Sequence, residues 1–213
     1  ISPRMIYWKV KEFEKEIKKN QSTYWLIFEL IWRDYFKYIA LKHGNKIFQL
    51  SGIGKSDRKW EVDRERFEKW AKGETGIPFI DANMRELNET GFMSNRGRQN
   101  VASFLSKELQ LDWRMGAAYF ESMLIDYDVA SNYGNWMYVS GVGNDPRDRY
   151  FNIISQAKRY DSKGEYVKHW IAELSELDAS VVQHPWTANQ QLFSGDANYS
   201  KPIVEPNYWE KYY

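Results

Sequence analysis

Between Pro3 and Lys19 the apolar residues Ile6, Val10, Phe13 and Ile17 recur at steps of three and four among lysines and glutamates. That spacing predicts an amphipathic helix with Pro3 in its first turn and one face buried. The next apolar run is denser, passing through Trp25, Phe28, Trp32, Tyr35, Phe36 and Ile39. Ser22 or Thr23 supplies its N-cap and Gly44 its stop, and its composition predicts a deeply placed helix. Residues 44–58 carry Gly44, Ser51, Gly52, Gly54 and Ser56 with little periodicity, which reads as a surface loop. A short helix is expected from Asp63, ended by Gly73 and Gly76. Helical patterns return over 79–90, 95–110, 113–125, 128–139, 150–160 and 165–174, separated by Gly91, Asp112, Asp126, Gly141 to Pro146 and Gly164. No strand pattern of any length appears. From His184 onward Pro185, Pro202 and Pro206 stand among Asn, Gly and Ser, the signature of an extended segment. The expectation is an all-α fold: an orthogonal multi-helix bundle over 1–183, with 184–213 as an extended C-terminal segment packed on the same domain.

The chain has 213 residues, 43% hydrophobic and 17% aromatic, enough for a sizeable core. Lysine and arginine total 30 against 29 acidic residues, so a nucleic-acid partner would have to meet a local basic face. With no cysteine, disulfides, thiolate nucleophiles and iron–sulfur ligation are excluded. No apolar run approaches the roughly 18 residues of a membrane span. His43, His169 and His184 are scattered, none at ligand spacing with another ligand-type residue, so no metal is expected. No nucleophile elbow, phosphate loop or paired-glycine dinucleotide fingerprint supports hydrolase or kinase chemistry. Ten tryptophans and 15 tyrosines exceed what such a core requires.

Three constellations carry possible chemistry. In Glu29-Leu30-Ile31-Trp32-Arg33, Glu29 shares a helical face with Trp32 and Arg33. The pair Glu29 and Arg33 is either a routine helix ion pair or part of a site, since a carboxylate within so apolar a stretch is costly unless paired or functional. In Ser94-Asn95-Arg96-Gly97-Arg98-Gln99-Asn100, Ser94 caps a helix whose first turns present two arginines and free backbone N–H groups, either a solvated helix start or an anion site. In Asp126-Tyr127-Asp128-Val129-Ala130-Ser131-Asn132-Tyr133-Gly134-Asn135-Trp136, two acids flank a helix start and Asn132 and Trp136 stand four apart. Asp128 is an ordinary N-cap by itself; with the other groups it could grip the polar edge of a heterocycle.

Taken in order, Glu29-Leu-Ile-Trp-Arg33, Thr75-Gly-Ile-Pro-Phe-Ile-Asp-Ala-Asn-Met-Arg85, Asn95-Arg-Gly-Arg-Gln99 and Asp126-Tyr-Asp-Val-Ala-Ser-Asn132 resemble the C-terminal half of photolyases and cryptochromes. Tyr133-Gly-Asn-Trp-Met-Tyr-Val-Ser-Gly-Val-Gly-Asn-Asp-Pro-Arg147, Gln156-Ala-Lys-Arg-Tyr160 and Gly164-Glu-Tyr-Val-Lys168 look like the DASH branch. The resemblance implies a non-covalent FAD and blue-light-driven electron transfer to cyclobutane pyrimidine dimers, preferentially in single-stranded DNA. Carried over by motif, Arg98 pairs with Asp126 beside the flavin, Asp128 bonds its ring edge and Asn132 faces its N5. Trp136, Trp113 and Trp60 match the electron relay, and core packing is their plainer role. Glu29, Trp32, Asn95, Arg96, Gln99 and Tyr138 fall on positions lining the pocket for the flipped-out dimer; Asn95 and Gln99 depart from the histidines of the (6–4) branch. The resemblance also implies an N-terminal α/β domain with an antenna pigment such as a folate, and a Thr-Ser-Arg-type segment wrapping the flavin phosphates. Neither lies in this sequence beyond Ser2-Pro3-Arg4, which hints at that segment's far end. The alternatives are a flavin photoreceptor that signals without repair, and a truncated helical fragment without activity. The compartment is open: cytoplasmic in a bacterium, organellar or nuclear in a eukaryote.

Overall fold

The computed structural model describes residues 1–54, 56–145, 147, 150–187 and 199–205. Its regular elements are helical: α1 (Pro3–Glu16), α2 (Gln21–His43), α3 (Arg64–Lys72), α4 (Pro78–Thr90), α5 (Asn95–Ser103), α6 (Trp113–Met123), α7 (Val129–Ser140), α8 (Ile153–Tyr160) and α9 (Glu165–Trp170). Among the described residues the sole β pairing is an isolated bridge between Glu61 and Leu111.

Local chemistry explains most of the boundaries. Ser2, Asp63, Ser94, Asp112, Asp128 and Asn152 each accept a backbone N–H at a helix start. Gly73, Gly91 and Gly141 close α3, α4 and α7 in the left-handed region. The cap of α2 differs from expectation: Asn20 takes the Thr23 amide while Thr23 Oγ1 takes the Asn20 amide, a reciprocal box that starts two residues earlier than a Ser22 cap would. The pattern 95–110 is not one helix either. After Ser103 the chain widens into a π turn over Phe104–Glu108, then reverses through Gln110 at φ 53.

The core lies in α3 to α9. Trp70, Ile77, Ile80, Met84, Leu87, Met93, Phe104, Leu105, Leu109 and Trp113 are wholly buried there. The two N-terminal helices depart from expectation. Of the stripe on α1 only Val10 is buried, and Phe13 and Ile17 are exposed. On α2 only Thr23 and Phe36 are buried, whereas Trp25, Leu26, Ile31, Tyr38 and Leu41 face outward. The helix is apolar on nearly all sides, while α1 and α7 pack against a limited part of its circumference.

Of the C-terminal segment, 188–198 and 206–213, Pro206 included, lie outside the described residues, as does Pro146 of the loop after α7. Pro185–Thr187 forms a short 3₁₀ turn. Residues 199–205 cross the start of α4: the Ile203 amide donates to Thr75 O at 2.9 Å, and Tyr199 is buried.

Candidate functional site

Two helix starts, those of α5 and α7, and the middle of α2 converge on one cavity. Its volume is about 320 Å³, and Glu29 of α2, Asn95, Arg98 and Gln99 of α5, and Asp128, Asn132 and Trp136 of the α7 region all line it. Such a volume is at the lower end of the ~300–1,000 Å³ typical of cofactor sites. The close approach of α2 to α7 depends on Gly134, where a Cβ would come within 2.3 Å of the Phe36 ring. Gly116 does the same for α6 and α7: a Cβ there would meet the benzo edge of Trp136 at 2.2 Å.

Arg98 fastens the start of α5 to the loop before α7. Its Nε donates to Met93 O at 2.8 Å, and its Nη2 donates to both oxygens of Asp126 at 3.0 and 2.9 Å. Asp126 keeps half of its side chain exposed, so the pair sits on the cavity rim. Asp128 caps α7 through the Ser131 amide at 2.9 Å. Partial burial pushes its carboxyl up, but the Ser131 amide and hydroxyl together with the Arg33 charge hold it below the usual range, so Asp128 is ionised at neutral pH. Asn132 is buried and spends its Nδ2 on Ala117 O at 2.9 Å, leaving its carbonyl as the group still able to accept.

Two buried polar atoms on lining side chains, Gln99 Oε1 and Trp136 Nε1, have no hydrogen-bond partner within the protein. Unsatisfied groups at this depth are costly. The cavity lining itself fits the edge and faces of a flavin ring: ionised and neutral acceptors at Asp128 and Asn132, an arginine at the rim, apolar walls from Ala102, Phe120 and Trp136.

A second cavity, also about 320 Å³, adjoins the first. Glu29, Asn95, Gln99, Ser131 and Asn135 line both. Trp32 and Tyr138 add aromatic walls, their rings meeting edge to face at 6.1 Å. Glu29 is exposed rather than buried, and Arg33 pairs with its neighbour Asp34 at 3.1 Å, so Glu29 is left facing the two cavities. Arg96 stands outside both cavities, its guanidinium over the rings of Tyr160 at 5.0 Å and Phe151 at 5.9 Å. Ser131 and Asn135 had no mark in the sequence; only the α7 periodicity that places them with Asn132 and Asp128 could have found them.

The three tryptophans expected to form an electron relay are placed as follows. Trp136 and Trp113 are buried, the latter with its indole N–H on Leu50 O at 3.0 Å, and Trp60 is half-buried. Glu61 N donates to Gln110 O and Asp112 N to Glu61 O, both at 2.9 Å. These two bonds tie the backbone beside Trp60 to the backbone beside Trp113.

The family model described as the FAD binding domain of DNA photolyase matches residues 25–211. Cryptochrome DASH of Danio rerio is 52% identical over 218 residues, covering 100% of this chain and 42% of that protein. Among solved structures, a Synechocystis cryptochrome superposes with a TM-score of 0.93 at 52% identity, over 98% of this chain and 44% of its own. An archaeal photolyase from Sulfolobus tokodaii, described with two FAD molecules, gives 0.78 at 33% identity over 96% and 46%. The chain thus spans less than half the length of these relatives.

Proposed function

The chain belongs to the photolyase and cryptochrome family through an FAD-binding domain like that of the DASH cryptochromes, and from that premise we propose that its protein repairs cyclobutane pyrimidine dimers under blue light, with single-stranded DNA preferred. The observation that carries this reading is the shared wall: Glu29, Asn95, Gln99, Ser131 and Asn135 line both cavities. Whatever occupies one is in reach of whatever occupies the other, as electron transfer from a cofactor to a lesion requires.

Bound FAD, when reduced, supplies a photo-excitable one-electron donor. The chain's own groups do the rest. Arg98, Asp126, Asp128 and Asn132 hold and orient the ring. Trp136, Trp113 and Trp60 carry electrons toward that site from the surface. Trp32 and Tyr138 wall the extruded bases, Glu29, Asn95 and Gln99 meet their polar edges, and Arg96 takes a phosphate beside the opening. Extruding a dimer from a duplex costs a few kcal/mol. A pocket with two aromatic walls repays that cost most easily when the strand is already single, which supports the substrate preference.

The test is to mix the chain with FAD, desalt it, record its spectrum, then reduce and illuminate it with a single-stranded oligonucleotide bearing a thymine dimer. Retained flavin and light-dependent dimer loss are expected. Flavin without dimer loss would remove the repair role and leave a photoreceptor; a colourless chain would remove flavin binding by this chain.

A further inference from the structure

Trp70 is the largest wholly buried side chain outside the relay, and it sits where the relay begins. Among the described residues Trp136 makes two ring contacts, with Phe120 at 5.2 Å and with Trp70 at 6.2 Å. The ring contact of Trp113 is instead with Tyr133, at 6.1 Å. Of the rings touching Trp136, Trp70 is therefore the one that can be oxidised, since phenylalanine holds its electrons too tightly. Beyond Trp70 stands Tyr119, ring to ring at 5.8 Å. Its hydroxyl lies 2.6 Å from Asn88 Oδ1 and 3.2 Å from Ala71 O. Asn88 is exposed, so this path reaches solvent where Tyr119 of α6 meets Asn88 of α4.

We infer that Trp136, Trp70 and Tyr119 form a second electron path, branching from the first at Trp136. The inference rests on the proposal that the cavity holds a flavin. Trp136 gives one electron to photo-excited oxidised flavin, Trp70 refills Trp136, and Tyr119 refills Trp70 while releasing its phenolic proton to water beside Asn88. The balance is one electron gained by the flavin, one lost by Tyr119, and one proton released. The proton chemistry sets the direction. Trp70 donates its indole N–H to the Val101 carbonyl at 3.1 Å, a group too weakly basic to take the proton, so an oxidised Trp70 stays charged in a site closed to solvent. Burial holds the Tyr119 phenol protonated, yet its hydroxyl lies next to a solvated amide, and a phenol that sheds its proton on oxidation retains the hole.

The test uses the FAD-loaded, desalted chain in four forms: unaltered, Trp113→Phe, Trp113→Phe with Trp70→Phe, and Trp113→Phe with Tyr119→Phe. Tyr119→Phe keeps the ring and its packing, so it remains informative if Trp70→Phe misfolds. Flash illumination is followed by electron paramagnetic resonance, with ring-deuterated tyrosine to identify a phenoxyl radical by its narrowed hyperfine pattern. Trp113→Phe should keep photoreducing its flavin and show the phenoxyl signal, and either second change should abolish that signal. Absence of the signal in Trp113→Phe, or its survival in both double variants, overturns the branch while leaving the flavin site intact. A chain that retains no flavin overturns the site reading and the branch together.

Discussion

Tyr199 and Asp81, 118 positions apart, meet through a 2.6 Å hydrogen bond inside the core. Asp81 is fully buried and also accepts from the Thr75 amide, the Thr75 hydroxyl and the Gly76 amide. The bond with Tyr199 pins the segment 199–205 across the start of α4, the helix that backs α5 and its arginines.

Burial outweighs those four donated bonds and lifts the Asp81 pKa from its ordinary 3.8 to about 6. A carboxyl with a raised folded pKa keeps its proton where the unfolded chain has lost it. Its contribution is therefore fully present below about pH 4 and is lost as pH rises through about 6. Asp81→Asn carries no charge at any pH. The stability advantage of the unaltered protein over Asp81→Asn should shrink by roughly 2–3 kcal/mol between about pH 4 and pH 7. Urea unfolding of both proteins across that range measures it, and a constant difference would mean that Asp81 does not titrate there.

The Arg98 and Asp126 pair is only partly buried, with half of the Asp126 side chain exposed. Partly exposed ion pairs contribute at most about 1 kcal/mol to folding. Asp126→Asn should therefore leave the thermal midpoint nearly unchanged and still lower flavin retention, because Arg98 loses the partner that aims it along the cavity rim. Comparing the flavin-to-protein absorbance ratio after desalting with the melting curve separates the two effects. A large fall in midpoint with flavin retained would reverse the assignment.

Much of this was legible because it is local. Asp63, Ser94, Asp112 and Asp128 announce helix starts through a side-chain oxygen two or three residues from the amide it takes, and Gly44, Gly73 and Gly91 announce stops. The candidate site motifs could be read by resemblance, since each is a short run on a helix or across its start. What the sequence concealed depends on distant partners. The exposure of α2 follows from what packs around it, which its apolar composition does not disclose. Nothing local in the sequence marks Trp70 as the neighbour of Trp136 or Asp81 as the anchor of Tyr199, because each contact joins residues far apart in the chain.

Gly134 tests whether the two cavities need the observed spacing of α2 and α7. A methyl group there meets the Phe36 ring at 2.3 Å, and that ring is buried. Gly134→Ala should destabilise the fold by about 1–3 kcal/mol, the usual cost of overpacking. Adding Phe36→Leu should recover part of the loss, because the smaller side chain vacates the space. Thermal unfolding of the single and double variants decides it; purely additive losses would place the strain elsewhere.

Arg96 is the residue through which the nucleic-acid reading is most exposed to failure. Its guanidinium rests on the faces of Tyr160 and Phe151 rather than in a carboxylate pair, so the charge is positioned by rings that do not neutralise it. Arg159 approaches the same Tyr160 ring at 5.4 Å and adds a second positive charge. A strand phosphate beside the Tyr160 ring would meet both. Arg96→Ala should weaken binding of a dimer-bearing single strand by about tenfold, and reduce the slope of log affinity against log salt by roughly 0.7, the value for one lost single-strand phosphate contact. Fluorescence anisotropy over a salt series reads both quantities. If affinity falls while the slope stays fixed, Arg96 acts by supporting the aromatic cluster and not by meeting a phosphate, and Arg159→Ala then becomes the variant expected to change the slope.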